Sequence, residues 1–266
     1  MTGSAAPDGW LDAFAKAERL HIRNLLDGAV RSGHHVAVVE FGLARGDAFA
    51  SAAPALPGPL FNTGNGIETS ELLDAAMAHW QTHRTTGWIQ SVARPWRGAE
   101  PTDHMAIAFA RPRQVPMQKP AGNVALRMAE PSEAGTWADV ILAASPMPAS
   151  VGPAWRDAIA AIEHGDEVHQ LVLALQDDVP VGGARMTIAA GGALLGGAAV
   201  LETHRGHGIQ RALISYRARL AIDGGAAWLA ATSVPDGISE RNLGLMGFQR
   251  AALRGRYQVP PTISQS

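Results

Sequence analysis

The 266-residue chain contains no cysteine, which excludes a disulfide framework, thiolate metal sites and a cysteine nucleophile together. It also lacks an excess of either charge, since 22 Lys and Arg stand against 24 Asp and Glu for a net charge of -2. A surface so nearly neutral creates no field for phosphate backbones or anionic lipid, so neither nucleic acid nor membrane is an expected partner. No run of roughly 18 apolar residues offers a membrane span, and the opening "MTGSAAPDGW" has neither a basic nor an apolar targeting region. A cytoplasmic protein with a small-molecule partner is the expectation. Only two tyrosines occur, which narrows the choice of a phenolic acid for catalysis.

Core-forming material, by contrast, is plentiful. Hydrophobic residues make up 47% and charged residues 17%, far from a disordered composition. The length exceeds the roughly 100 to 200 residues of one domain, so two are expected. The boundary is read in "RPRQVPMQKPAGN" (residues 111–123), where prolines interrupt a polar stretch and a new pattern starts, giving domains at 1–118 and 119–266.

Ahead of that boundary, periodicity predicts a helix over Trp10 to Val30 and a strand in "HHVAVVEFGLA". Residues 51–66 read as a long loop around a short strand at Leu60 to Asn62. A helix follows in "ELLDAAMAHWQTHR", capped by Thr69 or Ser70, then strands in "GWIQSVARPW" and "HMAIAFARP". Beyond the boundary come helices near 133–144 and 154–163, and a hairpin of "VHQLVLALQ" and "VGGARMTIA" turning at "DDVP". Strand "ALLGGAAVLE", a helix over 209–223, strand "AAWLAAT", a short helix near 239–246 and a last strand "RGRYQV" complete the chain. Strands alternating with helices around an antiparallel hairpin predict an α/β fold with a mixed sheet. An exposed edge at the last strand would invite a homodimer.

The most informative stretch is "HRGHGIQRAL", residues 204–213. Ile209, Leu213, Tyr216 and Leu220 recur at helical spacing, which places the glycines at a helix N-terminus, where N–H donors are free. Gly206 and Gly208 permit a sharp turn and close approach of a ligand, while the helix dipole and Arg205 favour an anion such as phosphate. The alternative is a glycine turn needed only for strand-to-helix packing. A Walker loop would need a lysine after the glycines, and the dinucleotide fingerprint a third glycine where Arg211 stands.

The pattern R-G-x-G-[IL], set between a strand and a long helix, resembles the pyrophosphate-binding motif of the GNAT family of acetyl-CoA-dependent acyltransferases. The resemblance covers roughly residues 124 to 258, including the hairpin, the strand before the loop and the late "SERNLGLMGF". It implies acetyl-CoA, or another acyl-CoA, as co-substrate and no metal. It further implies that Ala198, Ala199 and Val200 lie beside the pantetheine arm, with the Val200 N–H serving the oxyanion. Arg205, Gly206, His207, Gly208, Ile209 and Gln210 would surround the pyrophosphate. The first domain resembles the N-terminal half of tandem GNAT proteins, so two domains are implied, each a mixed, mostly antiparallel sheet flanked by helices. In "ARGDA", residues 44–48, an aspartate replaces the second glycine, and loss of cofactor binding there is expected. That domain would instead shape the acceptor pocket or an interface.

Acetyl transfer to an amine needs a deprotonated amine, oxyanion stabilisation and protonation of the departing thiolate. Glu202, two residues beyond Val200 and so on the same strand face, is the preferred base; the alternative is a solvated carboxylate. The tyrosine that many family members use as the acid falls at Leu243, counting back from Gly247 and Phe248. Tyr216 reads as core, whereas Tyr257 either approaches the sulfur or packs the sheet. Ser239 and Asn242 hydrogen-bond the cofactor or acceptor in this reading, or Ser239 caps its helix. His204 and His207 add polarity around the loop, with His207 a pH-sensitive anion contact. His79 and His83 share a helix face, but the glutamate of H-E-x-x-H and a third ligand are missing, so no metal is expected. Trp88, Trp96, Trp137, Trp155 and Trp228 read as core. The expected activity is transfer of acetyl from acetyl-CoA to a primary amine of a small molecule by direct attack. The alternative is a non-catalytic acyl-CoA-binding sensor or scaffold, and a third reading is an ATP- or NAD-binding protein.

Overall fold

Apolar periodicity, broken by glycine and proline, divides the chain into six α-helices and eleven strands among the described residues, which are 9–42, 47–92, 99–145, 147–162 and 169–260 of a computed structural model. In chain order the first are α1 (Trp10–Arg31), β1 (Ala37–Glu40), β2 (Phe49–Ala52), β3 (Thr63–Asn65), α2 (Ser70–Thr82), β4 (Gly87–Ser91) and β5 (Asp103–Ala110). Then come β6 (Val124–Met128), α3 (Ala134–Ala144), α4 (Gly152–Ala161), β7 (His169–Gln176), β8 (Val179–Ala189) and β9 (Gly192–Val200). The last are α5 (Ile209–Asp223), β10 (Leu229–Ser233), α6 (Ile238–Leu245) and β11 (Gln249–Val259). The fold is mixed α/β, with the strands flanked by helices. Two compact units form: Met1–Ala17, Ala106–Met147 and Ile162–Ala252 make the first, and Glu18–Met105, Pro148–Ala161 and Leu253–Ser266 the second.

In the first unit the strand order is β5-β10-β9-β8-β7-β6. Asp177 and Asp178 both take left-handed φ, 50° and 63°, and make the two-residue turn that suits the twist of the β7–β8 hairpin. Ala190 and Gly191 do the same between β8 and β9. Only β9 and β10 are parallel, and α5 supplies the crossover that a parallel pair requires. Met186, Leu195, Ile214, Ala218 and Phe248 pack in its core. Trp137 of α3 lies across β7 and β8, its indole N–H shared between the Val172 and Ala184 carbonyls at 3.2 Å each.

The second unit repeats this logic with the order β1-β2-β3-β4-β11. Its one parallel pair, β3 with β4, is joined through α2. Trp80 fills the core beside Leu73, Ala76 and Ile89 and donates from its indole to the Ser51 carbonyl at 2.9 Å.

Some sequence expectations need correction. Residues 51–66 contain the end of β2, and the short strand lies at Thr63–Asn65 instead of Leu60–Asn62. The reason is Asn62, a buried polar residue that accepts from the Ala53 N–H and donates to the Leu56 carbonyl, both at 2.7 Å, and so ties the loop from inside. Strand β6 has no counterpart among the expected elements, because its five residues are only half-buried or exposed and carry no clean apolar alternation. The last strand is no exposed edge: Gly255–Val259 pairs with Ser91–Gly87, and on its other side the Thr102 N–H donates to the Arg256 carbonyl. The edge argument for a homodimer therefore lapses. Trp137, Trp155 and Trp228 are buried and Trp88 is half-buried, while Trp96 lies outside the described residues.

Candidate active site

The site begins where two strands part. β10 pairs with β9 only at Ala193–Leu195, whereas β9 stays on β8 as far as Val200 opposite Gly182. From Gly196 onward the other edge of β9 has no strand partner among the described residues. A bulge in the β8–β9 register between Gly183 and Arg185, with Gly197 at φ 50°, bends the strand here. The Leu201 N–H donates to Val181 on β8, so backbone alternation turns the Val200 N–H toward the open edge.

A cleft of about 460 Å³ follows that edge. Ala198, Ala199 and Val200 form one wall, Arg205, Gly206, Ile209 and Gln210 one end, and Ser239 and Asn242 of α6 the facing wall. Ala144, Ser145, His204 and Ile238 complete it, four residues that the motif alone does not assign to the cofactor. A volume in the range of about 300–1,000 Å³ suits a small ligand or cofactor.

The loop at its end is rich in unsatisfied donors. Gly208 is the N-cap of α5 at φ 74°, no side chain caps the helix, and its first turn carries no acid. Gly206 is left-handed as well, at φ 84°. Among the described residues the N–H groups of Gly206, His207 and Gly208 donate to no backbone acceptor. With the first-turn N–H groups of α5 they form a positive, anion-seeking terminus. The Arg205 side chain serves the loop's shape instead. Its guanidinium donates to the carbonyls of Val200 (3.2 Å) and Ala144 (2.9 Å), tying the loop to β9 and α3. His207 and Gly208 are outside the cleft lining, and the His207 Nδ1 donates to the His204 carbonyl at 3.4 Å.

The corresponding crossover of the second unit, β3–α2–β4, closes its helix terminus itself. Thr69 is the N-cap and its hydroxyl accepts from the Leu72 N–H at 3.3 Å. Glu71 stands in the first turn, its carboxyl held below the ordinary range by its own backbone N–H and then by Thr69. A terminus already capped and carrying a carboxylate repels phosphate. This start of α2, and not "ARGDA", occupies the position of the Gly206–Gly208 loop; residues 44–46 lie outside the described residues.

Of the three candidate catalytic side chains, Ser239 alone lines the cleft. Asn242 Nδ2 donates to Gln210 Oε1 at 2.5 Å, and Gln210 Nε2 donates to Ser239 Oγ at 3.2 Å. Since the hydroxyl already accepts, its proton remains free to be donated. Glu202 is exposed on a 3-10 turn, Glu202–His204, because β9 ends at Val200. The same-face argument for it fails, as strand alternation does not continue through the turn. Tyr257 belongs to the second unit, buried on β11 opposite Ile89. Leu243 is buried in the first unit's core, and Tyr216 is half-buried against a neighbouring cluster of the same unit. His79 donates to the Ala37 carbonyl and packs edge-on against His83, and burial lowers its pKa. Among the described residues no three metal-binding side chains gather, and no helix is long and apolar enough to cross a membrane.

Two arginines escape a reading of the sequence alone. Arg217 of α5 is 2% exposed, and Arg185 of β8 flanks Gly196. A charged residue on the inward face of a helix is the available signal, but α5 buries a far wider face than its four periodic apolar positions suggest, including Ala212, Ile214, Ser215, Arg217 and Ala218.

A mixed sheet parts beside a crossover helix, and that helix's bare N-terminus closes a long cleft able to admit an anionic ligand. Residues 137–248 match the model of the Acetyltransferase (GNAT) family, and this segment is a GNAT-family domain, of the family that transfers acyl groups from acyl-CoA. Among solved structures, a GCN5-related N-acetyltransferase from Kribbella flavida aligns at 19% identity over 94% of this chain and 97% of its own, with a TM-score of 0.56. A tandem GNAT protein from the clavulanic acid biosynthesis pathway aligns at 16% identity over 98% of both chains, TM-score 0.59. A GCN5-related N-acetyltransferase from Sphaerobacter thermophilus aligns at 16% identity over 84% of both, TM-score 0.58. These likenesses establish a tandem GNAT fold. No curated protein matches the sequence.

Proposed function

We propose that the chain is an N-acetyltransferase that moves acetyl from acetyl-CoA to a primary amine of a small molecule by direct attack. The observation that carries this reading is the continuity of the unpaired β9 edge with the uncapped α5 terminus in one cleft. Acetyl-CoA would supply an activated thioester. In this reading the free N–H groups from Gly206 to Gln210 hold its pyrophosphate, and Ala198, Ala199 and Val200 flank its pantetheine arm. The Val200 N–H, aimed at the open edge, is the oxyanion donor. Ser239, oriented by Gln210 and Asn242, donates its hydroxyl proton toward the departing sulfur in place of the tyrosine that Leu243 replaces. Glu202 remains a candidate base acting through water from the solvent side. Tyr257, buried on β11 of the second unit, is given no role in this reading.

The junction at 118/119 is proposed as the seam between two copies of one domain, the first having closed its helix terminus with Thr69 and Glu71. Compact packing follows another division, since residues 118 and 119 both fall in the first unit. Buried Leu243 favours a second reading, a non-catalytic acyl-CoA sensor or scaffold.

Thermal unfolding with acetyl-CoA, CoA, ATP and NAD in parallel tests the ligand. A ligand at about 100 times its Kd stabilises a fold by roughly 2.7 kcal/mol, and protection by acetyl-CoA and CoA alone is expected. Release of free CoA with an amine panel then separates enzyme from sensor. Protection by ATP or NAD alone would overturn both.

A further inference from the structure

The inner end of the cleft carries charge that CoA binding does not use. Where β9 and β10 part, a small cavity of about 70 Å³ adjoins the main cleft through Ala198, Gln210 and Ser239, and Arg217 lines it. Arg217 bonds only backbone carbonyls: Leu213 at 3.1 Å, Arg185 at 2.8 Å and Gly196 at 3.3 Å. Arg185 flanks the same glycine, since a Cβ on Gly196 would lie 3.1 Å from its Nη2. Among the described residues the Arg185 guanidinium has no hydrogen-bond or ion-pair partner, and neither arginine meets a carboxylate.

Exclusion of water pushes Arg185 down to about 10, and burial together with the Arg185 charge pushes Arg217 down to about 9. Both stay cationic at neutral pH. Arg217 is buried and Arg185 half-buried; a buried cation without an anion is costly, and carbonyl oxygens satisfy donors without neutralising charge. The free N–H groups of Gly206, His207 and Gly208 line no part of this inner cavity, so CoA phosphates do not explain the pair.

We propose that this inner end binds a carboxylate carried by a reactant, engaged by Arg185 with Arg217 beneath it. A planar two-oxygen anion matches the fork of a guanidinium. The carboxylate belongs to the amine acceptor, as in an amino acid, or to the far end of a dicarboxylic acyl group. The inference rests on the acyl-transfer reading above.

The full chain is assayed in two arms: amino acids against their carboxamides with acetyl-CoA, and succinyl-CoA against acetyl-CoA with neutral amines. A preference of roughly ten- to a hundred-fold in kcat/KM for the carboxylate partner is expected in one arm, which identifies the source, and Arg185→Met abolishes it. Binding is read without turnover from thermal protection by CoA plus an N-acetyl amino acid against CoA plus its carboxamide, and by succinyl-CoA against acetyl-CoA. Equal turnover and equal protection in both arms, or a preference that survives Arg185→Met, overturns the proposal. Loss of protection by CoA itself would defeat the acyl-transfer reading and this one together, whereas CoA protection without a carboxylate preference defeats this one alone.

Discussion

Replacing Gly208 with aspartate isolates the anion-binding terminus of α5. The new side chain meets little: the nearest atoms to a Cβ there are Arg211 Nη2 at 3.8 Å and Gln118 Nε2 at 3.9 Å. The left-handed φ of 74° costs about 1 kcal/mol, partly offset by a negative charge at the helix N-terminus worth about 0.3–1 kcal/mol. Fold stability therefore changes by no more than about 1 kcal/mol. The ligand fares differently. A carboxylate about 5 Å from a phosphate repels it by roughly 1–3 kcal/mol at effective dielectric constants of about 80 to 20. It also occupies donors whose charge-assisted bonds are worth about 1.5–3 kcal/mol. Together these amount to about 3 kcal/mol or more, a loss of CoA affinity of roughly a hundred-fold or greater. Gly208→Asn, neutral and similarly tolerant of a left-handed φ, controls for backbone strain and should retain most of the affinity. The assay is calorimetric titration with CoA beside the melting curve of each variant. A folded Gly208→Asp chain that binds CoA within about three-fold of the native one would refute the phosphate role of the loop.

Ser239→Ala should lower kcat roughly a hundred-fold with CoA affinity little changed, as for loss of a general acid, and an unchanged rate would remove Ser239 from the chemistry. Glu202→Gln should likewise lower turnover more than affinity if the exposed carboxylate acts through water; steady-state kinetics at saturating acetyl-CoA decide it. Arg127 pairs with both oxygens of Glu133 at 2.6 and 2.7 Å and holds its carboxyl at about 2, against an ordinary 4.5. A depressed folded-state pKa stabilises above the unfolded value, so this contribution is complete above about pH 4.5 and lost as pH falls toward 2. The melting-point gap between the native chain and Glu133→Gln should be present at about pH 7 and close across that window. Gly87→Ala would place a methyl 2.0–2.2 Å from ring atoms of Trp80 and should destabilise by about 1–3 kcal/mol or more in denaturant unfolding.

The uncapped start of α5 is legible in "RGHGI" because everything it needs is local: two glycines able to adopt left-handed φ, and an apolar periodicity that marks where the helix starts. Ser239 and Asn242 are legible in "SERN", again a segment of a few neighbouring residues. Glu202 is misplaced by the sequence because an alternation rule holds only while the strand continues, and β9 ends at Val200, where Arg205 folds back onto its carbonyl. The last strand is misread as an exposed edge because pairing with β4 joins residues far apart in the chain.

By itself, then, the sequence determined the helices, most of the strands and the donor-rich terminus of α5, since turn chemistry, periodicity and capping act over a few residues. Tertiary structure decided what those elements enclose. Thr69 and Glu71 could be set beside the bare terminus of α5 only when β3–α2–β4 proved to repeat the crossover of β9–α5–β10. Arg185 and Arg217, thirty-two positions apart, both approach Gly196 only because a bulged β9 brings that residue against them. A charge is buried by the neighbours that displace its water, and those neighbours come from distant segments brought together by the sheet.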